Sequence, residues 1–211
     1  MKEVNSCHQN PQEIASDQVY VLAAQSDMKQ FAPLYDKYYV LLFRFVYQRT
    51  DTKTEAADIT SQVFLNAMKY LKQYTPQGLP FSSWLFRIAH NEINQWFRKH
   101  KAERNYYINT QARQDLFDES VAFQNEQAEQ KKIILSRLLE NLTPDELAII
   151  EMKYAEKRSI AEISEILDLS ESNTKVRLHR IMNKLRSHAA TRKLTEVLAF
   201  LSFCTSILFY I

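Results

Sequence analysis

Residues 159–188 read SIAEISEILDLSESNTKVRLHRIMNKLRSH, and this stretch decides the fold of the C-terminal half of the chain. Ser159 and Glu162 have the spacing of a capping box, in which the hydroxyl accepts from a backbone amide and the carboxylate reaches back to the cap. The box starts a short helix that ends at Leu167. Ser170 then caps a longer helix that continues to the end of the stretch. A short helix, a three-residue turn and a basic helix are typical of a helix-turn-helix unit.

The second helix of such a unit enters the major groove, where its first side chains contact base edges and later basic ones contact phosphates. The predicted DNA-binding residues lie on the polar side of this helix: Ser172, Asn173, Lys175, Val176, Arg177, Arg180 and Lys184. Leu178, Ile181 and Leu185 point the other way, into a core. The alternative interpretation is a helical hairpin that packs on a partner of its own.

Charge is unevenly distributed, although the formal net charge is only +2. Residues 28–105 carry twelve basic and six acidic side chains, and residues 172–193 carry seven basic side chains and no acidic one. The short helix is acidic through Glu162, Glu165 and Asp168. Because these acids would repel phosphate, we expect the long helix to face the duplex. Two basic clusters indicate a polyanion partner, although solvated helix faces give the same pattern.

The N-terminal half shows helical periodicity in three segments. Apolar residues recur every three to four positions across residues 28–50, and a capping box at Thr52 starts a second helix. The third helix is expected to begin near Ser82 or Ser83, after a break that holds two prolines and the only glycine. A short helix is also expected near residues 17–25.

A polar stretch between about residues 101 and 129 lacks this periodicity, which indicates a linker. Helical structure resumes beyond it, and Thr143 and Glu146 form a further capping box, with proline at the first helical position. The sequence therefore predicts an all-α fold of two helical domains. The predicted domain plan is an N-terminal extension (1–27), a helical bundle (28–101), a linker (102–130), a helix-turn-helix domain (131–190) and a hydrophobic tail (191–211).

Composition excludes several functional classes. The chain has 211 residues, and with 45% hydrophobic and 25% charged residues it can fold into one or two globular domains. A single glycine, Gly78, argues against phosphate-binding loops, dinucleotide folds and hairpin-rich β folds. Cys7 and Cys204 show neither disulfide nor zinc spacing, and the five histidines show no metal-ligand spacing. We expect no metal, no cofactor, no secretory signal and a cytoplasmic location.

Aromatic and basic side chains alternate in the third helix and in the loop before it. The aromatic members are Tyr74, Phe81, Trp84, Phe86, Trp96 and Phe97, and the polar members are Arg87, Asn91, Arg98, Lys99, Lys101 and Arg104. Single-stranded nucleic acid is bound in this way, because bases stack on rings while cations neutralise phosphates. Since Trp84, Trp96 and Phe97 lie on the apolar side, only the loop from 72 to 83 and the polar helix face remain candidates for contact with bases.

Four segments resemble extracytoplasmic-function (ECF) sigma factors of bacterial RNA polymerase in order and spacing. They are FAPLYDKYYVLLFRF (31–45), AADITSQVFLNAMKYL (56–71), FSSWLFRIAHNEINQWFRK (81–99) and LTPDELAIIEMKYAEKRSIAEISEILDLSESNTKVRLHRIMNKLR (142–186). The resemblance implies a dissociable polymerase subunit that directs core enzyme to promoters and melts them. It also implies that the helical bundle is sigma region 2 and that the helix-turn-helix domain is sigma region 4.

The resemblance assigns roles to individual positions. Asp58, Gln62 and Phe64 match the helix that docks on the polymerase clamp. Trp84, Arg87, Asn91, Arg98 and Lys99 match the promoter-melting segment, and the preceding loop would capture a flipped base of the minus-ten element. Ser172, Asn173, Lys175, Arg177 and Arg180 would read the minus-thirty-five duplex. The polar linker would run toward the RNA exit path, and an anti-sigma factor is an expected type of partner.

Some positions depart from the family pattern. Family members often have acids where this chain has Ala57 and Gln62, and Asp where it has Gln95, which predicts a less electrostatic clamp contact. Asp168 stands where the family frequently has glycine, and the pair Ser172-Asn173 replaces a common Gly-Thr pair. The promoter sequence therefore cannot be transferred from the family.

The last fifteen residues, 197–211, carry no charge. As a helix, residues 194–211 would span about 27 Å at ~1.5 Å per residue, slightly less than a hydrocarbon core of ~30 Å. This length is compatible with two interpretations, a tail that anchors the chain in a membrane and a helix that packs on protein.

Two other functional classes compete with the sigma factor. A helix-turn-helix regulator would act on duplex DNA without core polymerase. An enzyme would need positioned catalytic groups. The neighbouring carboxylates Asp115, Asp118 and Glu119 could form such a group, but they lie in the polar linker, where no enclosing pocket is evident. We therefore expect no catalytic residues.

Overall fold

The computed structural model describes residues 11–50, 52–76, 78–99, 138, 139 and 141–191. Within this part of the chain the secondary structure is helical, which confirms the predicted all-α class. The N-terminal domain contains α1 (Pro11–Ser26), α2 (Ala32–Tyr47), α3 (Lys53–Tyr70) and α4 (Phe81–Lys99). The C-terminal domain contains α5 (Pro144–Ile150), extended by a π turn at Glu151–Ala155, then α6 (Ile160–Leu167) and α7 (Glu171–Thr191). The linker and the C-terminal tail lie outside the described residues.

Local sequence signals set the starts of four helices. The capping boxes at Thr52, Thr143 and Ser159 are present, each with both reciprocal hydrogen bonds. The Ser170 hydroxyl accepts from the backbone amide of Asn173 at 3.2 Å and so caps α7. These contacts satisfy amide donors that have no partner within the first helical turn. The helix-turn-helix layout was therefore correctly predicted from short-range sequence alone.

Two helix boundaries differ from the prediction. The N-terminal helix is longer than residues 17–25, because Pro11 begins it and α1 continues to Ser26. The third predicted helix, α4, starts at Phe81, and Ser82 and Ser83 are buried in its first turn rather than placed as caps. The first turn of α4 packs into the domain core, and within the described structure the Ser82 and Ser83 hydroxyls are buried there without a hydrogen-bond partner.

The core of the N-terminal domain forms where α2, α3 and α4 pack together. Leu34, Leu42, Val63 and Leu85 are fully buried in it. This core does not stop at the domain border, since Ala148, Met152, Ile163 and Ile166 of the C-terminal domain belong to the same apolar cluster. Helix α6 packs directly against α4. The sequence predicted two domains on a linker, but not this shared core.

The C-terminal domain has a second apolar cluster of its own. Leu178, Ile181 and Leu185 of α7 are buried in it, as their spacing predicted. They pack with Leu147 and Ile149 of α5. One face of α7 is thus held against the domain, and the opposite face is left for another surface.

Candidate nucleic-acid interface

The polar face of α7 is open to solvent along its first three turns. Ser172, Asn173, Lys175, Val176, Arg177 and Arg180 are all exposed, as a DNA-reading face requires. The Arg177 Nε donates to the Asn173 Oδ1 at 3.1 Å, which holds one arginine beside one amide on the same face. Lys175, Arg177 and Arg180 place three exposed cations along the first turns of α7.

Lys184, the last residue of the predicted stripe, is placed differently. Its Nζ lies 2.8 Å from Glu146 Oε2 on α5, so this half-buried side chain ties two helices of its own domain together. Burial alone would raise the pKa of Glu146, but hydrogen bonds from Lys184 and Thr143 outweigh it and lower the pKa below its ordinary value of 4.5. The Glu146 carboxylate is therefore charged at neutral pH.

A pocket of about 200 Å³ lies between the loop before α4 and the first turns of α4. Its walls are formed by Gln73, Tyr74, Thr75, Leu79, Pro80, Trp84, Arg87 and Glu165. The half-buried ring of Trp84 lies 4.9 Å from the ring of Tyr74 and 5.4 Å from the ring of Phe81, centroid to centroid. Burial, with smaller contributions from Glu165 and Asp17, raises the pKa of Tyr74, so its hydroxyl keeps its proton at neutral pH. The pocket combines aromatic faces with a cation, as single-strand binding sites do.

Arg87 does not extend into solvent from this pocket. Its Nη1 lies 3.0 Å from Glu165 Oε1, and its Nη2 lies 2.6 Å from Asp168 Oδ1. Both carboxylates come from the helix-turn-helix domain. The sequence interpretation gave these acids the role of repelling phosphate, but in the structure they bind an arginine of the other domain. Glu162, the third acid of α6, is buried and completes the capping box with Ser159.

The remaining predicted residues of α4 are accessible. Asn91, Arg98 and Lys99 are exposed toward the C-terminal end of the helix. Among the described residues, Arg87 in the N-terminal half of the predicted melting surface contacts the other domain through Glu165 and Asp168. The surface is therefore divided into a covered part and an open part.

The predicted polymerase-binding residues on α3 do not share one environment. Asp58 and Gln62 are exposed, whereas Phe64 is only 2% exposed and packs against the rings of Phe31 and Tyr35. The assignment of Phe64 as a docking side chain is therefore wrong for this arrangement. Phe64 is a core residue, because the face of α3 that carries it packs on α2.

Gln25 of α1 is a residue that the sequence interpretation missed. Its side-chain amide donates to the backbone carbonyls of Leu71 and Tyr74, each at 2.8 Å. These two bonds hold the end of α3 and the first residue of the loop that lines the pocket. The available sequence signal was the helical pattern near residues 17–25, but a glutamine in that helix gave no indication of its partners.

Two family models match the chain, one in each of the two helical domains. The family model for Sigma-70 region 2 matches residues 34–103, and that for Sigma-70, region 4 matches residues 132–185. A pair of these regions in one chain defines a sigma-70-type transcription factor. The curated relatives with similar sequences are ECF sigma factors, and the chain belongs to this family.

Three relatives illustrate that similarity. ECF RNA polymerase sigma factor BldN of Streptomyces coelicolor is 25% identical over 166 residues, which cover 77% of this chain and 61% of BldN. For SigX of Bacillus subtilis the identity is 26%, with coverage of 75% of this chain and 82% of SigX. For SigW of Bacillus subtilis it is 28%, with coverage of 77% and 90%. The match thus spans less than two thirds of BldN but most of the other two.

A solved structure of CnrH in complex with the cytosolic domain of CnrY has a similar fold. The TM-score is 0.56 at 20% sequence identity, and the match covers 83% of this chain and 98% of that chain. This likeness supports the two-domain helical fold.

Two predicted features concern membranes and metals. Among the described residues, no helix has both the length and the apolar character needed to cross a membrane. Residues 194–211, the tail considered for membrane contact, lie outside that part of the chain. Within the same described part, no group of three or more His, Cys, Asp or Glu residues could hold a metal ion.

Proposed function

We propose that this chain binds core RNA polymerase, directs it to specific promoters and helps to melt them. The observation that carries the proposal is the pair of sigma-70 regions, each with its own basic helix, in a single chain. The proposed domain plan is region 2 over residues 28–101 and region 4 over residues 131–190. The protein would act in the cytoplasm as a polymerase subunit rather than as an enzyme.

Helix α7 is proposed to read the upstream duplex element. Its exposed face offers amide and hydroxyl groups near the N-terminus and guanidinium groups further along. Asn173 and Lys175 have the chemistry for base edges, and Arg177 and Arg180 have the chemistry for phosphates. Lys184 contributes less than its sequence position predicted, because Glu146 already neutralises it.

Helix α4 and its loop are proposed to bind the melted strand. A base extruded from the duplex can stack on an aromatic side chain while nearby cations neutralise its phosphates. Trp84 and Tyr74 supply the aromatic walls of the pocket, and Arg87 lies at its edge. Arg98 and Lys99 extend the cationic surface along the same helix.

The polymerase contact is proposed to use the exposed polar side of α3. Asp58 supplies a negative charge and Gln62 supplies an uncharged amide. A single acid predicts a contact that depends only moderately on salt, because surface charge pairs are screened. An anti-sigma factor is the other proposed partner, supported by the fold shared with CnrH, whose solved structure is a complex with the cytosolic domain of CnrY.

Transcription with purified core polymerase tests this function. We expect core polymerase with the chain to start transcripts at a defined promoter and core polymerase alone not to do so. A double variant, Lys175→Ala with Arg177→Ala, should lose promoter-specific initiation while still binding core. Tight and specific binding to duplex DNA without any association with core would instead favour a helix-turn-helix regulator.

A further inference from the structure

We propose that Arg177 positions the side chain of Asn173 so that its amide presents hydrogen-bond donors to the duplex, and that α7 therefore selects guanine where Asn173 contacts a base. This selectivity rests on the proposed function, in which α7 reads the upstream duplex element. Arg177 is then a positioning residue for base recognition, in addition to its proposed contact with a phosphate.

The hydrogen bond between these two side chains fixes the orientation of the Asn173 amide. Arg177 Nε donates to Asn173 Oδ1 at 3.1 Å, from four residues further along α7, and both side chains are exposed. A guanidinium nitrogen can only donate, so the end of the amide that faces it must be the carbonyl oxygen. The NH₂ group, Nδ2, is therefore the end of the amide that is turned away from Arg177.

The backbone that carries Asn173 is held in place by the cap of α7. The amide of Asn173 donates to Ser170 Oγ at 3.2 Å, and Thr174 Oγ1 donates to the carbonyl of Ser170 at 3.1 Å. Thr174 is fully buried, so this first turn is also fixed by packing. Side chains at the start of the second helix are the ones that reach base edges in a helix-turn-helix unit. Asn173 thus approaches the duplex from a firmly placed backbone.

The base edges of the major groove differ in how well they match a pair of donors. Asparagine commonly recognises adenine with both ends of its amide, because Oδ1 accepts from N6 while Nδ2 donates to N7. With Oδ1 turned toward Arg177, the two hydrogens of Nδ2 find two acceptors on guanine, N7 and O6. Adenine and thymine each offer one acceptor, and the amino group of cytosine offers none. Loss of one net hydrogen bond predicts a preference for guanine over adenine of about fivefold.

A phosphate contact would strengthen this arrangement. The guanidinium of Arg177 contacts Asn173 through Nε, and its two terminal nitrogens lie at the other end of the group. Terminal nitrogens of this kind bind a phosphate through parallel hydrogen bonds. A bound phosphate would therefore hold the guanidinium still, and with it the amide. Removal of the guanidinium should have two effects, a uniform loss of affinity and a changed preference at one base pair.

Three variants separate these two effects. Asn173→Ala removes the amide, and Arg177→Met replaces the guanidinium with an uncharged, unbranched side chain. The matched control is Arg180→Met, because Arg180 is an exposed cation about two turns after Asn173 on the same helix. All three positions are exposed, so the variants should keep the wild-type helix content, which circular dichroism measures.

Sequence selection by the full chain bound to core polymerase tests the proposal. The probe is a pool of promoter duplexes in which the upstream element is randomised, and sequencing of the bound fraction gives the preference at each position. The wild type should prefer guanine over adenine about fivefold at one position, and Asn173→Ala should lose that preference. Arg177→Met should bind all sequences more weakly and shift the guanine-to-adenine ratio there about fivefold toward adenine. Arg180→Met should weaken binding without shifting this ratio.

Several outcomes would overturn the proposal. One is a wild-type preference for adenine, thymine or cytosine at the position that Asn173→Ala alters, and another is that Asn173→Ala alters no position. An unchanged ratio in Arg177→Met, or an equal shift in Arg180→Met, would remove the positioning role. Failure of the chain to bind core would instead reject the proposed function, and the same selection with the full chain alone on duplex DNA would then decide the base preference. A chain that selects no sequence in either setting would overturn both.

Discussion

The basic helices α4 and α7 carry similar side chains in opposite surroundings. On α7, Lys175 and Arg177 project into solvent with no acidic side chain of the other domain against them in the described structure. On α4, Arg87 is held between Glu165 and Asp168. The proposed duplex-reading face of α7 is therefore exposed in this arrangement, while Arg87, at the start of the proposed melting face of α4, is paired with acids of the other domain.

The two proposed DNA-binding helices have similar basic side chains, but they differ in how exposed those side chains are. The covered part of α4 is limited to the region of Trp84 and Arg87, since Arg98 and Lys99 remain exposed. The proposed duplex-reading side of α7 is exposed in this arrangement, whereas the pocket beside Trp84 has Glu165 of the other domain in its wall.

The largest expected effect is on the free energy of unfolding, when the buried Phe86 side chain on the covered side of α4 is truncated. Phe86 is 1% exposed, its ring centroid lies 4.9 Å from that of Phe45, and the Arg158 guanidinium lies 4.1 Å from the same Phe86 centroid. Phe86→Ala should lower the free energy of unfolding by about 3–4 kcal/mol, because it leaves a cavity and removes the contact with Arg158. Denaturant titration followed by circular dichroism measures the change.

Val176→Ala is the matched truncation on the open side. Val176 is 48% exposed on α7, so its loss should change the free energy of unfolding by no more than about 0.5 kcal/mol. Equal effects of the two truncations would contradict the contrast between a covered α4 and an open α7.

The next effect concerns duplex DNA. Arg177→Ala should weaken binding to a duplex that carries only the upstream element by about tenfold, and the salt dependence should fall by roughly one unit if the guanidinium contacts a phosphate. Arg87→Ala should leave this binding unchanged, because Arg87 belongs to the covered surface. Fluorescence anisotropy at several salt concentrations measures both. An unchanged slope for Arg177→Ala would exclude the phosphate contact.

A smaller effect is expected from Gln25, which supports the pocket without lining it. Gln25→Met keeps the size of the side chain but removes both hydrogen bonds to the carbonyls of Leu71 and Tyr74. Binding of a single-stranded downstream oligonucleotide by the polymerase complex should weaken about fivefold, as for the loss of roughly one net hydrogen bond. Duplex binding through α7 should not change.

Gln18→Met is the control for that substitution. Gln18 is exposed on the same helix, so its replacement alters α1 without touching the loop. If both variants weakened single-strand binding equally, Gln25 would have no specific role in positioning the loop.

The sequence allowed prediction of those features that depend on neighbouring residues. The capping boxes at Thr52, Thr143 and Ser159 join residues three positions apart. Their residue types and spacing can therefore be identified from a short segment of sequence. The buried face of α7 was likewise predictable from helical periodicity. These local signals were enough for the fold class and for the helix-turn-helix layout.

Contacts between distant segments could not be predicted in this way. Arg87 meets Glu165 and Asp168 across 78 and 81 residues, and no local pattern pairs a given arginine with a given acid. The docking role predicted for Phe64 was wrong for a related reason. The family resemblance identified the helix but did not show which of its sides faces the core. Such residues require the packing of the helices to be known.

The smallest expected effect concerns Glu146. This residue forms an ion pair with Lys184, which is half-buried, unlike the exposed cations earlier on α7. Its pKa is lowered in the folded chain, so its stabilising contribution is present above the ordinary value of 4.5 and is lost as the pH falls through the lower folded-state pKa. Glu146→Gln should therefore cost about 0.5 kcal/mol at pH 7, since the ion pair with Lys184 is partly exposed. The two proteins should converge in stability on acidification below that range. A difference that persists at pH 3 would assign the effect to packing instead of charge, and the ion pair with Glu146 would then not be what holds Lys184 in its half-buried position.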